Sequence, residues 1–219
     1  MKNNKTDFSQ KEEKMRRIFS ILLAISMLFA SVLAFSSCGS EPAPPIEDVK
    51  DDFVALIEAS AEINEIFFGA GLPVISRDEE KNAELYSNLA VMYDRYEYIS
   101  TESKYLTVDE MKKAAELVYT SEYLSSVYMM AFDGYADEIA GVTVARYYES
   151  DGWLFQSISY EPLIEGTRTF DFETMKIVKP SRGDYVNVEI ESELGGEKLN
   201  LTLAFSKTAN GWRLDTPTY

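Results

Sequence analysis

The hydrophobic pattern of this chain changes its period near Gly134, and this change constrains the fold more than any other feature. Upstream of Gly134 apolar residues recur at the spacings of three, four and seven that characterise an amphipathic helix. In the first such stretch they are Val49, Phe53, Leu56, Ile57, Ile63 and Phe67. Downstream, apolar and polar residues alternate, as in strands with one buried face. The pattern predicts a single α+β domain in which N-terminal helices pack on a C-terminal antiparallel β-meander.

The helical half also carries start signals. Thr107 followed by Glu110 forms a capping box, in which the threonine accepts from the first turn and the glutamate reaches back. Thr120 marks the start of a further helix that ends at Asp133-Gly134. The polar segment 78–93 fits a weak helix and a loop equally well.

The sequence of the second half predicts β-hairpins. The tight-turn sequences Ser150-Asp151-Gly152, Leu194-Gly195-Gly196 and Asn210-Gly211 separate β-prone runs. One run alternates apolar Val186, Val188 and Ile190 with polar residues, and the next alternates Leu199, Leu201, Leu203 and Phe205. We expect one sheet with one face on the helices and one face in water.

The N-terminus has the form of an export signal. The uncharged apolar run Ile18–Phe35 follows Met15-Arg16-Arg17 and precedes Ser36-Ser37-Cys38. The only cysteine of the chain therefore lies where the signal would be cleaved. This arrangement resembles the lipobox of bacterial lipoproteins, in which the cysteine carries the lipid, although Phe35 stands where leucine is usual. The alternative is an uncleaved membrane anchor, because eighteen apolar residues are just enough to span a bilayer.

These signals predict three segments. Residues 1–37 are a lipoprotein signal peptide, with translation starting at Met1 or at Met15. Residues 38–46 are the lipidated Cys38 and a Pro-rich tether, in which the spacer 39–45 would extend ~20 Å at about 3.1 Å per residue. Residues 47–219 are the α+β domain. We therefore expect a lipid-anchored protein on the extracytoplasmic face of the membrane.

Composition excludes several classes of function. The chain has no histidine and one cysteine, so it cannot form a Ser-His-Asp triad, a Cys-His pair or a thiolate zinc site. Its 37 acidic and 21 basic residues give a net charge of −16, which disfavours nucleic acid as a partner. Acidic pairs are too abundant to single out a glycosidase pair, and no calcium-loop pattern occurs. We expect no enzyme activity, no cofactor and no metal.

Four motifs follow one another from about residue 86 to residue 219. They are Tyr96-Glu97-Tyr98-Ile99 before the helix capped at Thr107, Tyr119-Thr120-Ser121-Glu122-Tyr123-Leu124, Asp151-Gly152-Trp153, and Gly211-Trp212-Arg213-Leu214. This series resembles the DL-endopeptidase inhibitor family (IseA-type) of lipoproteins and secreted proteins of Gram-positive bacteria. The resemblance implies a monomeric, non-enzymatic protein that occupies the substrate cleft of NlpC/P60 cysteine peptidases, which cut D-Glu–meso-diaminopimelate bonds in peptidoglycan.

The resemblance also implies where the peptidase would bind, namely an acidic loop between the last helix and the first hairpins. The candidate partner-binding residues there are Asp133, Asp137, Glu138, Glu149 and Asp151, with Trp153 as an apolar anchor. The chain has Asp133-Gly134-Tyr135 where the family pattern leads us to expect an Asp-Gly-Lys turn.

Two other functions stay open. One is a cone-shaped ligand-binding or structural domain of the nuclear-transport-factor type, which a large apolar pocket lined by Tyr and Phe would favour. The other is a carboxylate enzyme acting on wall glycans or peptides, which two inward carboxylates in a deep groove would favour. Tyrosines concentrate between Tyr86 and Tyr160. They fit either a binding platform or packing at the seam between helices and sheet.

Overall fold

Helices dominate the N-terminal half and strands the C-terminal half of the computed structural model, as the pattern predicts. The structure describes residues 41–87, 95–137, 142–164 and 166–219, except the side chains of 135–137 and 142–143. Residues 41–219 form one compact unit. Cys38 and Glu138 lie outside the described residues. Within the described ranges, no helix is long and apolar enough to cross a bilayer.

Four α-helices are described, and the predicted caps begin two of them. A 3₁₀ turn precedes α1 and another precedes α2, and a π-helical turn (Met129–Asp133) follows α4. The helices are α1 (Lys50–Phe68), α2 (Ala83–Ser87), α3 (Val108–Glu116) and α4 (Ser121–Tyr128). The Thr107 hydroxyl accepts from the Glu110 amide at 3.2 Å, and the Glu110 carboxylate accepts from the Leu106 amide at 2.8 Å. The capping box at α3 and the cap at Thr120 are therefore confirmed.

Ten strands are described, and they form two four-stranded sheets and one separate hairpin. They are β1 (Val74–Ile75), β2 (Tyr96–Ile99), β3 (Tyr135–Asp137), β4 (Val142–Val144), β5 (Tyr147–Ser150), β6 (Trp153–Ser157), β7 (Thr169–Arg182), β8 (Tyr185–Leu194), β9 (Glu197–Thr208) and β10 (Gly211–Leu214). The small sheet has the order β1-β2-β6-β5, and the large sheet has the order β10-β9-β8-β7. All pairs within the sheets are antiparallel, and β3 pairs only with β4 among the described strands.

The predicted antiparallel meander is the large sheet, and the strands before it form a second sheet. The strands divide into two sheets because the segment between β6 and β7, which contains Pro162 and Gly166, leaves the ladder. The amides of Leu163 and Ile164 instead donate to the Phe68 carbonyl at the end of α1. In addition, β1 and β2 lie in the half that the pattern predicts to be helical, and β2 pairs with β6.

One core joins α1 to both sheets. The Phe53 ring stacks on Phe205 with centroids 3.8 Å apart and meets the Trp212 ring edge-on at 5.3 Å. The same cluster takes Tyr147 and Leu154 from the small sheet. The predicted inward residues of β8, Val186, Val188 and Ile190, are all buried in it. The prediction for β9 holds only in part, because its outer end runs past the core: Phe205 and Leu203 are buried, whereas Leu199 is 53% exposed.

The small sheet caps the C-terminal end of α1. The last carbonyls of a helix have no partners within the helix and must be satisfied from outside. Here the donors are side chains of β5, of β6 and of Arg146, the residue before β5. Tyr147 Oη donates to Ile66 O at 2.7 Å, Arg146 Nη2 to Gly69 O at 2.6 Å, and Gln156 Nε2 to Ala70 O at 3.0 Å. Arg146 is buried, and its positive charge lies at the negative end of the helix dipole. These bonds hold the small sheet at a fixed position on α1.

Candidate partner-binding surface

The turn between β5 and β6 presents aromatic side chains at the surface. Asp151 and Gly152 both have positive φ, 51° and 78°, which is the backbone of the two-residue hairpin turn that the sequence predicts. Ser150 pairs with Trp153 directly across this turn. Trp153 is 39% exposed and Tyr148 is 38% exposed. Large aromatic side chains are therefore partly open to solvent at this end of the small sheet.

These residues belong to what we call the aromatic face, the side of the small sheet that is turned away from the core. Its members are Tyr96, Tyr98, Tyr148, Trp153 and Phe155. The ladder register places Tyr98 and Tyr148 on either side of Phe155, so the three rings form a row across β2, β6 and β5. The Tyr98 centroid lies 4.6 Å from Phe155 and 5.2 Å from Trp153, with the Trp153 ring edge-on.

Helix α2 covers one part of the aromatic face. The Tyr86 ring lies 5.2 Å from Tyr98, and its hydroxyl donates to the Ile75 carbonyl and accepts from the Tyr98 amide. The Arg77 guanidinium lies 4.7 Å above the Tyr86 ring. Burial raises the pKa of both Tyr86 and Tyr98, so both rings stay neutral throughout the physiological range. The exposed part of the face is the part that carries Tyr148 and Trp153, on β5 and the start of β6.

The predicted acidic loop coincides with a hairpin. Asp133 is exposed at the end of the π-helical turn. Gly134 follows with a φ of 76°, and strand β3 begins after it. A Cβ atom at Gly134 would lie 2.4 Å from the Val144 carbonyl oxygen, so only glycine fits there. Asp137 is the last residue of β3 and pairs with Val142. The side chain of Asp137 and the whole of Glu138 lie outside the described residues.

Glu149 is exposed on β5, and its carboxylate has a partner within the fold. Its carboxylate accepts from the Val108 amide at 2.9 Å, at the first turn of α3. A carboxylate in this place satisfies one of the unpaired helix amides and interacts favourably with the helix dipole. Glu149 is therefore held by the fold at the surface, and its contact with a partner stays a prediction.

The predicted partner-binding residues thus separate into two groups. Asp151 and Trp153 share the β5–β6 turn, while Asp133 and Asp137 flank or belong to the β3–β4 hairpin. In the described part of the chain, no hydrogen bond or ion pair joins the two groups. Sequence reasoning missed Tyr98 and Tyr148 as members of the surface. The concentration of tyrosines was the available signal, but it also includes Tyr105, Tyr119, Tyr123 and Tyr147, which are buried in the core.

The described residues offer little to a metal or a small ligand. No group of three or more Asp, Glu, Cys or His side chains among them could hold a metal ion. Two open depressions lie at the outer end of the large sheet, where charged and polar side chains such as Glu191 and Lys198 line them. The chain matches no protein-family model and no curated protein. The geometry of the aromatic face and of the adjoining hairpins is therefore what indicates a binding surface.

Proposed function

We propose that this chain is an extracytoplasmic lipoprotein, anchored through Cys38, that binds a cell-wall NlpC/P60 endopeptidase and inhibits it without chemistry of its own. The aromatic face and the β3–β4 hairpin would supply the contacts. The peptidase is the partner that the sequence resemblance implies.

The observation that carries the proposal is the exposure of Trp153 and Tyr148 beside the acidic turn at Asp151. Binding energy at protein interfaces concentrates in a few aromatic side chains, above all Trp and Tyr, surrounded by a polar rim. Trp153 would act as the apolar anchor in the peptidase cleft. Asp151 and Asp133 would lie at the rim, where charges mainly set the association rate.

The support beneath the anchor favours tight binding. The Trp153 and Tyr98 rings meet at nearly a right angle, and Tyr98 contacts Phe155 and Tyr86, so the Trp153 side chain loses little conformational freedom on binding. The strand that precedes the turn is held to α3 through the bond from Val108 to Glu149. A preorganised surface loses less conformational entropy on binding and gains affinity for that reason.

The alternative of a cone-shaped ligand-binding domain receives less support. Such a domain needs space between its helix and its curved sheet. In this protein the rings of Phe53 and Phe205 stack in that position, with centroids 3.8 Å apart. The Trp212 ring packs against the Phe53 ring as well.

The test is an assay of cell-wall lysis. Purified walls are incubated with a panel of NlpC/P60 peptidases, with and without residues 41–219, and the loss of turbidity is followed. We expect slower lysis with the wild-type domain and weaker inhibition with Trp153→Ala. The matched control is Glu189→Gln with Glu191→Gln on the outer face of the large sheet, which should inhibit as the wild type does. Undiminished lysis across the panel at micromolar domain would refute the proposal.

Membrane anchoring through Cys38 is tested separately. Metabolic labelling with a fatty acid should mark the wild-type protein and should be lost in Cys38→Ala. Labelling that survives this substitution would refute lipidation at Cys38 while leaving the inhibition assay unaffected.

A further inference from the structure

The chain enters the compact unit at one end of the large sheet. The Gly183 amide, in the turn between β7 and β8, donates to the Glu41 carbonyl at 2.8 Å. The Glu41 side chain lies over Gly183, where a Cβ atom would come within 3.0 Å of the Glu41 Cβ. The sequence assigns residues 41–45 to an extended tether. Glu41, the first residue of this segment, is instead hydrogen-bonded to the domain.

The same end of the large sheet carries exposed cations. Tyr185 pairs with Ser206, so the β9–β10 turn lies beside the β7–β8 turn, and the Lys207 amide donates to the Asp184 carbonyl at 2.9 Å. We call this the basic end and define it by its exposed side chains Lys179, Arg182 and Lys207. The acids beside them are the exposed Glu41 and Asp184 and the half-buried Asp215, which accepts from the Ser206 hydroxyl at 3.4 Å. Asp184 forms an ion pair with Arg182 at 3.0 Å.

The opposite end of the sheet has the opposite charge. The β8–β9 turn is flanked by Glu191, Glu193 and Glu197, and the cations beside them are the exposed Lys198 and the half-buried Arg168. In a chain with a net charge of −16, the basic end is a local exception. The large sheet is therefore polarised along its strands, with its positive end where the chain enters.

Only three residue steps separate Cys38 from Glu41. A fully extended chain covers ~10 Å over that distance. If the chain is anchored at Cys38, as the proposed function requires, Glu41 lies no more than ~10 Å from the anchored residue, a distance comparable to the Debye length of about 8 Å at physiological salt. Bacterial membranes that contain anionic lipids attract cations and repel carboxylates at such distances.

We propose that the basic end docks on anionic lipid head groups and that this contact orients the domain, with the acidic β8–β9 end directed away from the bilayer. This inference rests on the anchoring part of the proposed function and adds a membrane-binding surface to it. The tether does not act as a spacer of ~20 Å, because Glu41 is already bound to the domain.

The test compares lysine reactivity at the two ends of one molecule. The full chain is purified in detergent and reconstituted into vesicles of phosphatidylcholine alone or of phosphatidylcholine with phosphatidylglycerol. A water-soluble acetylating reagent then modifies exposed lysines, and mass spectrometry reports the rate at each site. Lys198 is the internal control for Lys179 and Lys207.

We expect Lys179 and Lys207 to react about threefold more slowly on the vesicles with phosphatidylglycerol than on phosphatidylcholine alone, with Lys198 little changed. Raising NaCl from about 0.05 M to about 0.5 M should remove the difference. The variant Arg182→Gln should weaken the protection, whereas the charge-matched Lys198→Gln should leave it intact.

Unchanged rates at Lys179 and Lys207 between the two kinds of vesicle, or protection of Lys198 equal to theirs, would overturn the proposal. The experiment does not depend on lipidation, because the apolar run 18–35 would hold an unprocessed chain in the vesicle as well. The mass of the N-terminal peptide in the same sample reports separately whether Cys38 is lipidated. Failure of docking and failure of lipidation are therefore distinguished.

Discussion

The two sheets share one core but present very different outer faces. The inner face of each packs on α1, through Tyr147 and Leu154 in the small sheet and through Val188 and Phe205 in the large one. The large sheet is polar and charged on its outer side, where Lys176 pairs with Glu189 at 2.5 Å. The outer side of the small sheet is the aromatic face.

This difference shows what hydrophobic alternation can and cannot reveal. A strand with one polar face alternates strictly, and β8 does so. A strand with two apolar faces does not alternate, and Trp153-Leu154-Phe155 in β6 is an example. Such a strand needs cover on both sides, and α2 covers only part of the aromatic face. Exposed apolar patches of this kind mark interaction sites more often than chance.

The largest effect is expected where α1 packs on the large sheet. Phe53→Ala removes the ring that stacks on Phe205 and contacts Trp212, and it should lower the free energy of unfolding by about 3–5 kcal/mol. Thr202→Ala, at an exposed position on β9, is the control and should change stability little. Urea denaturation followed by circular dichroism measures both. A loss below about 1 kcal/mol for Phe53→Ala would mean that the stacked rings do not hold α1 on the large sheet in this way.

Two substitutions on the aromatic face should affect stability and binding differently. Tyr98→Ala removes a buried ring with three aromatic neighbours and should cost about 2–4 kcal/mol in unfolding. Trp153→Ala removes a partly exposed ring and should cost less than about 1.5 kcal/mol in unfolding while weakening inhibition by about tenfold or more. The two measurements are denaturant unfolding and the wall-lysis assay. If Trp153→Ala lost stability and kept inhibition, the ring would serve packing alone.

The smallest effect concerns the bond that holds the small sheet to α3. Glu149→Ala removes the acceptor for the Val108 amide and should lower the unfolding free energy by about 0.5–2 kcal/mol. Glu116→Ala, at the C-terminal end of the same helix, is the comparison, because a carboxylate there is unfavourable for the helix dipole. It should leave stability unchanged or raise it slightly. Thermal unfolding of the two variants under identical buffer conditions distinguishes these outcomes.

Local features of the fold were predictable because the residues that form them are neighbours in the chain. The capping box at Thr107 and Glu110 and the turn at Asp151-Gly152 each depend on contacts within four residues. The long strand β7 was not predicted, because its pairing with β8 is interrupted by register shifts and its pattern is irregular. The pairing of β2 with β6 was not predictable either, since the chain between them contains two helices.

The candidate site shows the same division. The sequence placed Trp153 and Asp151 together at one turn, because two residues of a tight turn cannot separate. It could not show that Tyr98 would lie under Trp153, or that Glu149 would bind an amide 41 residues away in the chain. Those contacts depend on how the hairpins are positioned against the helices.

The sequence by itself determined the class of this fold, the helix starts, the hairpin turns and the inward face of β8, since each follows from periodicity or from turn chemistry over a few residues. Tertiary structure alone decided the division into two sheets, the burial of Tyr147 beside the exposure of Tyr148, and the seating of Glu41 on Gly183. The physical reason is that burial depends on what packs against a side chain, and the partner comes from a distant part of the chain.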